Sequence, residues 1–127
     1  MAYLCLLSIF NMNKSTINIE VSLDETRMVD TIRWQASDSG AETPQQAKAM
    51  MVSFWDSAEK AALRIDLWTK EMMVDEMADF FYQTFMTMAD TYERATRHTE
   101  IVDDMKKFAQ DFYQKFQEKQ LKENKAG

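Results

Sequence analysis

The sequence is poor in the residues that most often build chemical sites. Its 127 residues include one cysteine, one histidine, one proline and two glycines. With Cys5 alone, the chain can form neither an internal disulfide nor a cysteine-based zinc site. A phosphate-binding loop or a dinucleotide-binding turn needs several glycines for close backbone approach, so the sequence excludes these two sites as well.

The ionisable residues also lack a pattern that is typical of catalysis or metal binding. His98 lies in a polar stretch between two predicted helices, and the sequence contains no HExxH or Glu-x-x-His pattern. The acidic residues do not match a calcium-binding loop. Several of the eleven methionines fall on apolar helical faces, where methionine is typical core filler rather than a copper ligand. We therefore predict no enzymatic activity, no cofactor and no metal.

Charge and hydrophobicity restrict the partners of the protein. The net charge of −6 disfavours nucleic acid, because binding to its backbone depends on neutralising phosphates with Lys and Arg. The first ten residues are almost all apolar, yet a membrane-spanning helix needs about 20, so we predict no integral membrane span. We interpret residues 1–11 as a mis-called extension upstream of Met12. An extra apolar strand and a degenerate secretion signal remain as alternatives.

Three segments show the alternation of apolar and polar residues that is typical of half-buried strands. They are residues 16–23, 29–36 and 62–68. The first two are joined by a short polar stretch, which favours an antiparallel pair. Residues 37–42 are polar and contain Gly40, so they predict a loop after the second strand.

The segment 43–58 is predicted to form the first helix. Thr43 suits the N-cap, Pro44 suits the first helical position, and Gln46 completes a capping box. Apolar residues then recur at spacings of three and four, which is typical of an amphipathic helix. A helix between the second and third strands would allow a β-α-β crossover.

The C-terminal half of the chain is predicted to contain two more helices. From Val74 to Tyr92, apolar residues follow a period of about 3.6 and form an unusually wide stripe, which implies burial on more than one side or a partner surface. Residues 101–118 form a further amphipathic helix, and the polar residues 119–127 are expected to fray. The predicted fold is α+β, a small three-stranded, at least partly antiparallel sheet packed by three helices in the order β-β-α-β-α-α. We expect a single domain over residues 12–118.

Arg64 and Asp66 are the strongest candidates for a polar site. They lie two residues apart on one face of the third predicted strand, and we expect them near Arg33 and Glu20 of neighbouring strands. Cross-strand charge pairs of this kind usually stabilise a wet sheet face. A small-ligand-binding domain or a weak enzyme that uses Arg64 and Asp66 is the alternative, and it requires a concave pocket at these residues.

Long strings of the sequence resemble a known protein family. They are VSFWDS at residues 52–57, LRIDLWTKEM at 63–72, VDEM at 74–77, DTYERAT at 90–96 and IRWQASDSG at 32–40. Together they resemble the gliding motility-associated protein GldC family of Bacteroidota, over roughly residues 13–118. Met73 stands where the family pattern leads us to expect proline, which affects only how sharply the following helix begins.

The resemblance implies a small, non-enzymatic, cytoplasmic accessory protein of gliding motility, with no catalytic residues to transfer. If residues 1–11 act as part of a signal, the protein would instead be periplasmic. We expect protein partners from the gliding or associated secretion machinery. The expected contact surface consists of Trp68, Met72, Met73 and Phe80, and the wide stripe from Val74 onward is compatible with a homodimer.

Overall fold

The computed structural model describes residues 13–37 and 43–126, without the side chain of Ala126. These residues form five strands and two helices. The strands are β1 (Ile17–Leu23), β2 (Val29–Ala36), β3 (Gln45–Ala47), β4 (Ala49–Asp56) and β5 (Ala61–Trp68), and the helices are α1 (Val74–Thr96) and α2 (Thr99–Ala126). The chain divides into two compact units between Met72 and Met73. The strand unit holds β1 to β5, and the helical unit holds α1 and α2.

The first sheet has the strand order β1-β2-β3 and is antiparallel throughout. Ile19 lies opposite Trp34, and Val21 lies opposite Ile32, so the apolar residues of β1 and β2 share one face. Ile32 also lies opposite Ala47 of β3. The predicted antiparallel pairing of the first two strands is therefore confirmed.

The helix predicted over residues 43–58 is wrong, because this segment forms β3 and β4 instead. Both of its neighbours supply backbone partners, since β3 pairs with β2 and β4 pairs with β5. The backbone hydrogen bonds of these two strand pairs outweigh the helix-capping pattern at residues 43–46, as tertiary context often overrides helix propensity. The chain bends at Lys48 between the two strands, and the Lys48 carbonyl accepts a hydrogen bond from the N–H of Thr69 at 2.8 Å. The described part of the chain consequently has no β-α-β crossover between β2 and β5.

The second sheet of the described residues is the antiparallel hairpin of β4 and β5. Its turn is held by the Asp56 carboxylate, which accepts hydrogen bonds from the N–H groups of Ala58 and Glu59. Lys60 closes the turn in the left-handed region, with φ of 52°. The strand predicted at 62–68 is confirmed, but the described strands form two sheets rather than one.

The helices α1 and α2 pack against each other as an antiparallel hairpin. At the start of α1, the Glu76 carboxylate accepts a hydrogen bond from the N–H of Met73 at 3.2 Å, which satisfies a free donor of the first turn. Arg97 ends α1 in the left-handed conformation, with φ of 61°. The buried hydrophobic residues of the hairpin are small, and they are Ala78, Ala89, Val102 and Ala109.

The helix count and the helix length also differ from the prediction. The described residues contain two helices instead of three, and α2 continues to Ala126 instead of ending near residue 118. The α+β class itself is confirmed. The extension 1–11 and most of the predicted loop 37–42 lie outside the described residues. The expectation of a single domain over residues 12–118 stays a prediction, because compact units are defined by contacts and not by cooperative unfolding.

Candidate interaction surface

One face of the first sheet is apolar, and it is open to solvent along β1, whereas Ile32 in its middle is buried. Strict alternation places Ile17, Ile19, Val21 and Leu23 of β1 on the same side, and all four are exposed, Ile17 to 70%. The exposed indole of Trp34 lies beside Ile19 on that side. We call Ile17, Ile19, Val21 and Trp34 the apolar sheet face. Exposed apolar area of this kind typically marks an interaction site.

The apolar sheet face is slightly concave. A depression of roughly 210 Å³ lies over the middle of the strand unit. Its lining consists of Ile17, Ile19, Ile32, Trp34, Ala47, Ala49, Met50 and Met51. Because aliphatic and aromatic side chains form most of the lining, the depression suits apolar side chains of a partner better than a charged small molecule.

The opposite side of the same sheet is polar. Asn18, Glu20 and Ser22 alternate with the apolar residues of β1, and Glu20 lies directly opposite Arg33 of β2. A sheet with one polar and one apolar side normally buries the apolar side. The exposure of that side is therefore the unusual feature of the strand unit.

The hairpin of β4 and β5 adds further exposed apolar residues. Phe54 lies opposite Leu63, and Ile65 follows on the same face, with all three side chains more than half exposed. The other face carries Trp55 and Trp68, which are also exposed. Sequence analysis missed the Phe54 side of this hairpin, because residue 54 was assigned to a helix.

Arg64 and Asp66 bind each other. The guanidinium donates to both carboxylate oxygens, from Nε to Oδ2 at 3.0 Å and from Nη2 to Oδ1 at 2.9 Å. The hydrogen bond and charge of Asp66 raise the pKa of Arg64. Both side chains are exposed, and a mutual bidentate pair of this kind stabilises a strand surface without needing a substrate. The geometry favours the structural interpretation of these two residues.

The expected neighbours of Arg64 and Asp66 are wrong. Arg33 and Glu20 belong to the first sheet, whereas β5 is paired with β4. The residues opposite Arg64 and Asp66 are Ser53 and Met51. The error follows directly from the wrong helix over residues 43–58, which hid β3, the partner of β2, and β4, the partner of β5.

The contact surface expected from the sequence stays a prediction. Trp68 and Met73 are exposed, whereas Met72 and Phe80 are half-buried. Trp68 and Met72 belong to the strand unit, and Met73 and Phe80 belong to the helical unit. Trp68 and Met73 are thus the two of the four that offer the most surface to a partner.

Asp24 and Lys70 form a contact that sequence analysis missed. The Asp24 carboxylate accepts hydrogen bonds from the Thr26 hydroxyl at 2.7 Å, from the N–H of Met28 at 3.0 Å, and from the Lys70 ammonium at 2.9 Å. The Thr26 hydroxyl, followed by Lys70, holds the pKa of Asp24 well below its usual range. An aspartate two residues before a threonine indicates a turn, but the partner Lys70 is 46 residues away and leaves no local signal.

We expect Asp24→Asn to lower the melting temperature by several degrees at pH 7 and by a smaller amount at pH 3. The carboxylate has a depressed pKa in the folded state, so its stabilisation is fully present above the unfolded pKa of about 3.9 and is lost progressively as the pH falls from there through the lower pKa of the folded state. Thermal unfolding at both pH values measures the difference. Glu25→Gln removes a neighbouring carboxylate and is the control. An equal effect of Asp24→Asn at the two pH values would contradict the role of the charge.

The described residues show neither a metal cluster nor a membrane-spanning helix. No three His, Cys, Asp or Glu side chains in residues 13–37 and 43–126 are grouped so that they could hold a metal ion. Within the same residues, neither helix is apolar enough over a sufficient length to cross a bilayer. His98 makes a contact of 3.0 Å between its Nδ1 atom and the hydroxyl of Tyr92, so it has a structural partner in the helical unit.

Comparison with known protein families gives a match over most of the chain. The model of the family described as gliding motility-associated protein GldC-like matches residues 29–118, from the start of β2 into α2. This range begins later than the roughly 13–118 expected from the sequence. No curated protein and no solved structure shows a significant match. Because the family match spans more than two thirds of the chain, the protein belongs to the GldC-like family of gliding motility-associated proteins.

Proposed function

We propose that the protein is a non-enzymatic accessory protein that supports gliding motility, or the associated secretion machinery, by binding another protein. The family membership supports the link to motility. The open apolar sheet face carries the proposal of a binding role, because four large apolar side chains on one side of β1 stay exposed. A partner that covers them would remove this apolar area from water, which is favourable by about 25 cal/mol per Å².

The proposed partner contributes an extended segment with alternating apolar side chains. In the described sheet, β1 is one of the two edge strands, with β2 as its paired neighbour. An edge strand offers backbone donors and acceptors to an added strand. The added segment would then place every second side chain on the apolar sheet face, beside Ile17 and Ile19.

We propose that the contact surface expected from the sequence binds the partner as a second contact, in addition to the apolar sheet face. Trp68 and Met73 each expose an apolar side chain of the size that dominates binding at interfaces. We propose that the protein acts in the cytoplasm; the periplasm is the alternative. Fractionation of native cells distinguishes these two compartments.

The proposal is tested by cross-linked affinity purification from the native cells. Tagged wild-type protein is expected to recover motility or envelope components in near-stoichiometric amount. Ile17→Asp places a charge on the apolar sheet face and is expected to reduce this recovery at least about 10-fold, because the carboxylate must be desolvated on binding. Ile17 is 70% exposed, so the substitution leaves the buried residues untouched.

Asn18→Asp is the matched control, because it introduces the same charge at the next residue of β1 on the polar side. It is expected to retain the partner. Trp68→Asp tests the second contact in the same assay. Equal recovery by the wild type, Ile17→Asp and Asn18→Asp would remove the apolar sheet face from the proposal, and recovery of the tagged protein alone would remove the binding role.

A further inference from the structure

The two long faces of the helical hairpin differ in chemistry. One face is closed by polar contacts between the helices. Lys106 of α2 forms a salt bridge of 2.9 Å with Asp90 of α1, and the hydroxyl of Tyr113 donates a hydrogen bond to Asp79, which raises the pKa of Tyr113. These contacts are compatible with water on that side.

The other face carries a cluster of aromatic rings. Phe85 of α1 contacts Phe108 and Phe112 of α2 with ring centroids 5.5 and 5.3 Å apart, and Phe81 contacts Phe112 at 6.4 Å. At about 3.6 residues per turn, Met88 of α1 and Ile101 of α2 continue this side of the two helices. We call Phe81, Phe85, Met88, Ile101, Phe108 and Phe112 the hairpin apolar face.

The hairpin apolar face is incompletely buried. Phe108, Met88, Ile101 and Phe81 remain 60%, 49%, 48% and 38% exposed. The cause lies in the residues between the helices, because Ala78, Ala89, Val102 and Ala109 are the ones that become buried there. Small residues bring the two helix axes close together, and the large rings are then pushed to the flank, where two helices alone cannot cover them.

We propose that a second copy of this chain covers the hairpin apolar face, so that two hairpins form an antiparallel four-helix bundle. In such a bundle the large apolar residues of every helix point toward a shared core. A two-fold axis makes the surface self-complementary, because each copy offers the same two helices to the other. The wide stripe from Val74 onward is what a helix with two helical neighbours needs.

The exposed apolar residues supply about half of the area that a stable dimer buries on each partner. A large apolar side chain presents on the order of 200 Å² when fully exposed, so the four most exposed members present roughly 400 Å² together. A stable interface buries about 800 Å² on each partner. The less exposed Phe85 and Phe112 and the polar rim would supply the remainder.

Charge favours a second copy over a lipid surface. The acids of α1 are Asp75, Glu76, Asp79, Asp90 and Glu93, against the single base Arg94. An acidic helix is repelled by anionic lipid, whereas membrane-surface helices are typically rich in Lys and Arg. α2 carries six bases and six acids in all, and in its C-terminal half the bases Lys115, Lys119, Lys122 and Lys125 outnumber the acids Glu118 and Glu123. These four bases would provide opposite charge where the C-terminal half of α2 of one copy lies beside the acidic first turns of α1 of the other.

The test is the oligomeric state of the purified full chain by sedimentation equilibrium. The wild type is expected to be a dimer at micromolar concentration, and Phe108→Glu is expected to raise the dimer dissociation constant at least about 100-fold, because a charge would be buried twice in a two-fold interface. Met88→Glu repeats the test from α1. Circular dichroism establishes that each variant remains helical.

Leu121→Glu is the matched control. Leu121 is as exposed as Phe108, at 60%, and it also belongs to α2. It lies thirteen residues further on, which corresponds to a rotation of about 220° away from the hairpin apolar face. The control is expected to remain dimeric. A monomeric wild type would overturn the proposal. So would a dimer that persists in both the Phe108→Glu and the Met88→Glu variants while both remain helical. Neither result would affect the binding role of the apolar sheet face.

Discussion

Ile32→Ala is expected to destabilise the strand unit by about 2–5 kcal/mol, the usual cost of truncating a large buried aliphatic side chain. Ile32 is 1% exposed, and in the strand unit it is the buried hydrophobic residue among those that the structure describes. It lies opposite Val21 of β1 and Ala47 of β3, so its side chain fills the centre of the first sheet. The truncation removes transfer free energy and leaves a cavity on the apolar side of the first sheet.

Urea unfolding followed by tryptophan fluorescence measures this loss. Trp34, Trp55 and Trp68 all belong to the strand unit, so the fluorescence reports on that unit specifically. Ile17→Ala removes the same atoms from the most exposed large apolar residue of β1 and is the control. The control is expected to lie within about 0.5 kcal/mol of the wild type. Similar losses in the two variants would show that burial at Ile32 is not what stabilises the sheet.

The strands and helices whose apolar residues follow a single regular spacing could be predicted from the sequence. β1 and β2 alternate strictly, and α1 and α2 repeat at about 3.6 residues, so each pattern fits one structure only. The segment 45–56 was different, because its apolar residues fit a helical spacing as well as a strand. Only the partners on both sides, β2 and β5, decide between these structures, and pairing between distant segments leaves no local pattern.

The sequence predicted which apolar residues share a surface, but it did not predict how exposed each surface is. The alternation in β1 shows which residues share a face, but it cannot show whether another element covers that face. The structure leaves Ile17 more exposed than an apolar residue of a half-buried strand should be. In the helices, the stripe from Val74 indicated a second neighbour, and the buried Ala78 and Ala89 explain why α2 does not cover the stripe completely. The position of small residues therefore matters as much as the apolar pattern.

The family match covers one of the two exposed apolar surfaces and not β1 of the other. The match begins at Val29, so it includes the hairpin apolar face and excludes β1. A dimer through α1 and α2 would rest on residues within the matched range, whereas partner binding at Ile17 and Ile19 would rest on residues before it. Comparing the two surfaces across relatives of the family would show whether self-association is the more general property.

Ala89→Leu is expected to destabilise the helical unit by about 1–3 kcal/mol, because extra methyl groups would be forced into a filled space. Ala89 is fully buried, and the adjacent Asp90 binds Lys106 across the helices at 2.9 Å, so the helices cannot separate there without losing this pair. Leu and Ala have similar helix propensities, and Ala95→Leu on the exposed side of α1 is the control.

Ellipticity at the helical band reports on α1 and α2, while tryptophan fluorescence reports on the strand unit. If Ala89→Leu shifts both transitions equally, the two units unfold as the single cooperative domain predicted from the sequence; if it shifts neither more than Ala95→Leu does, the close approach of the helices at Ala89 is wrong.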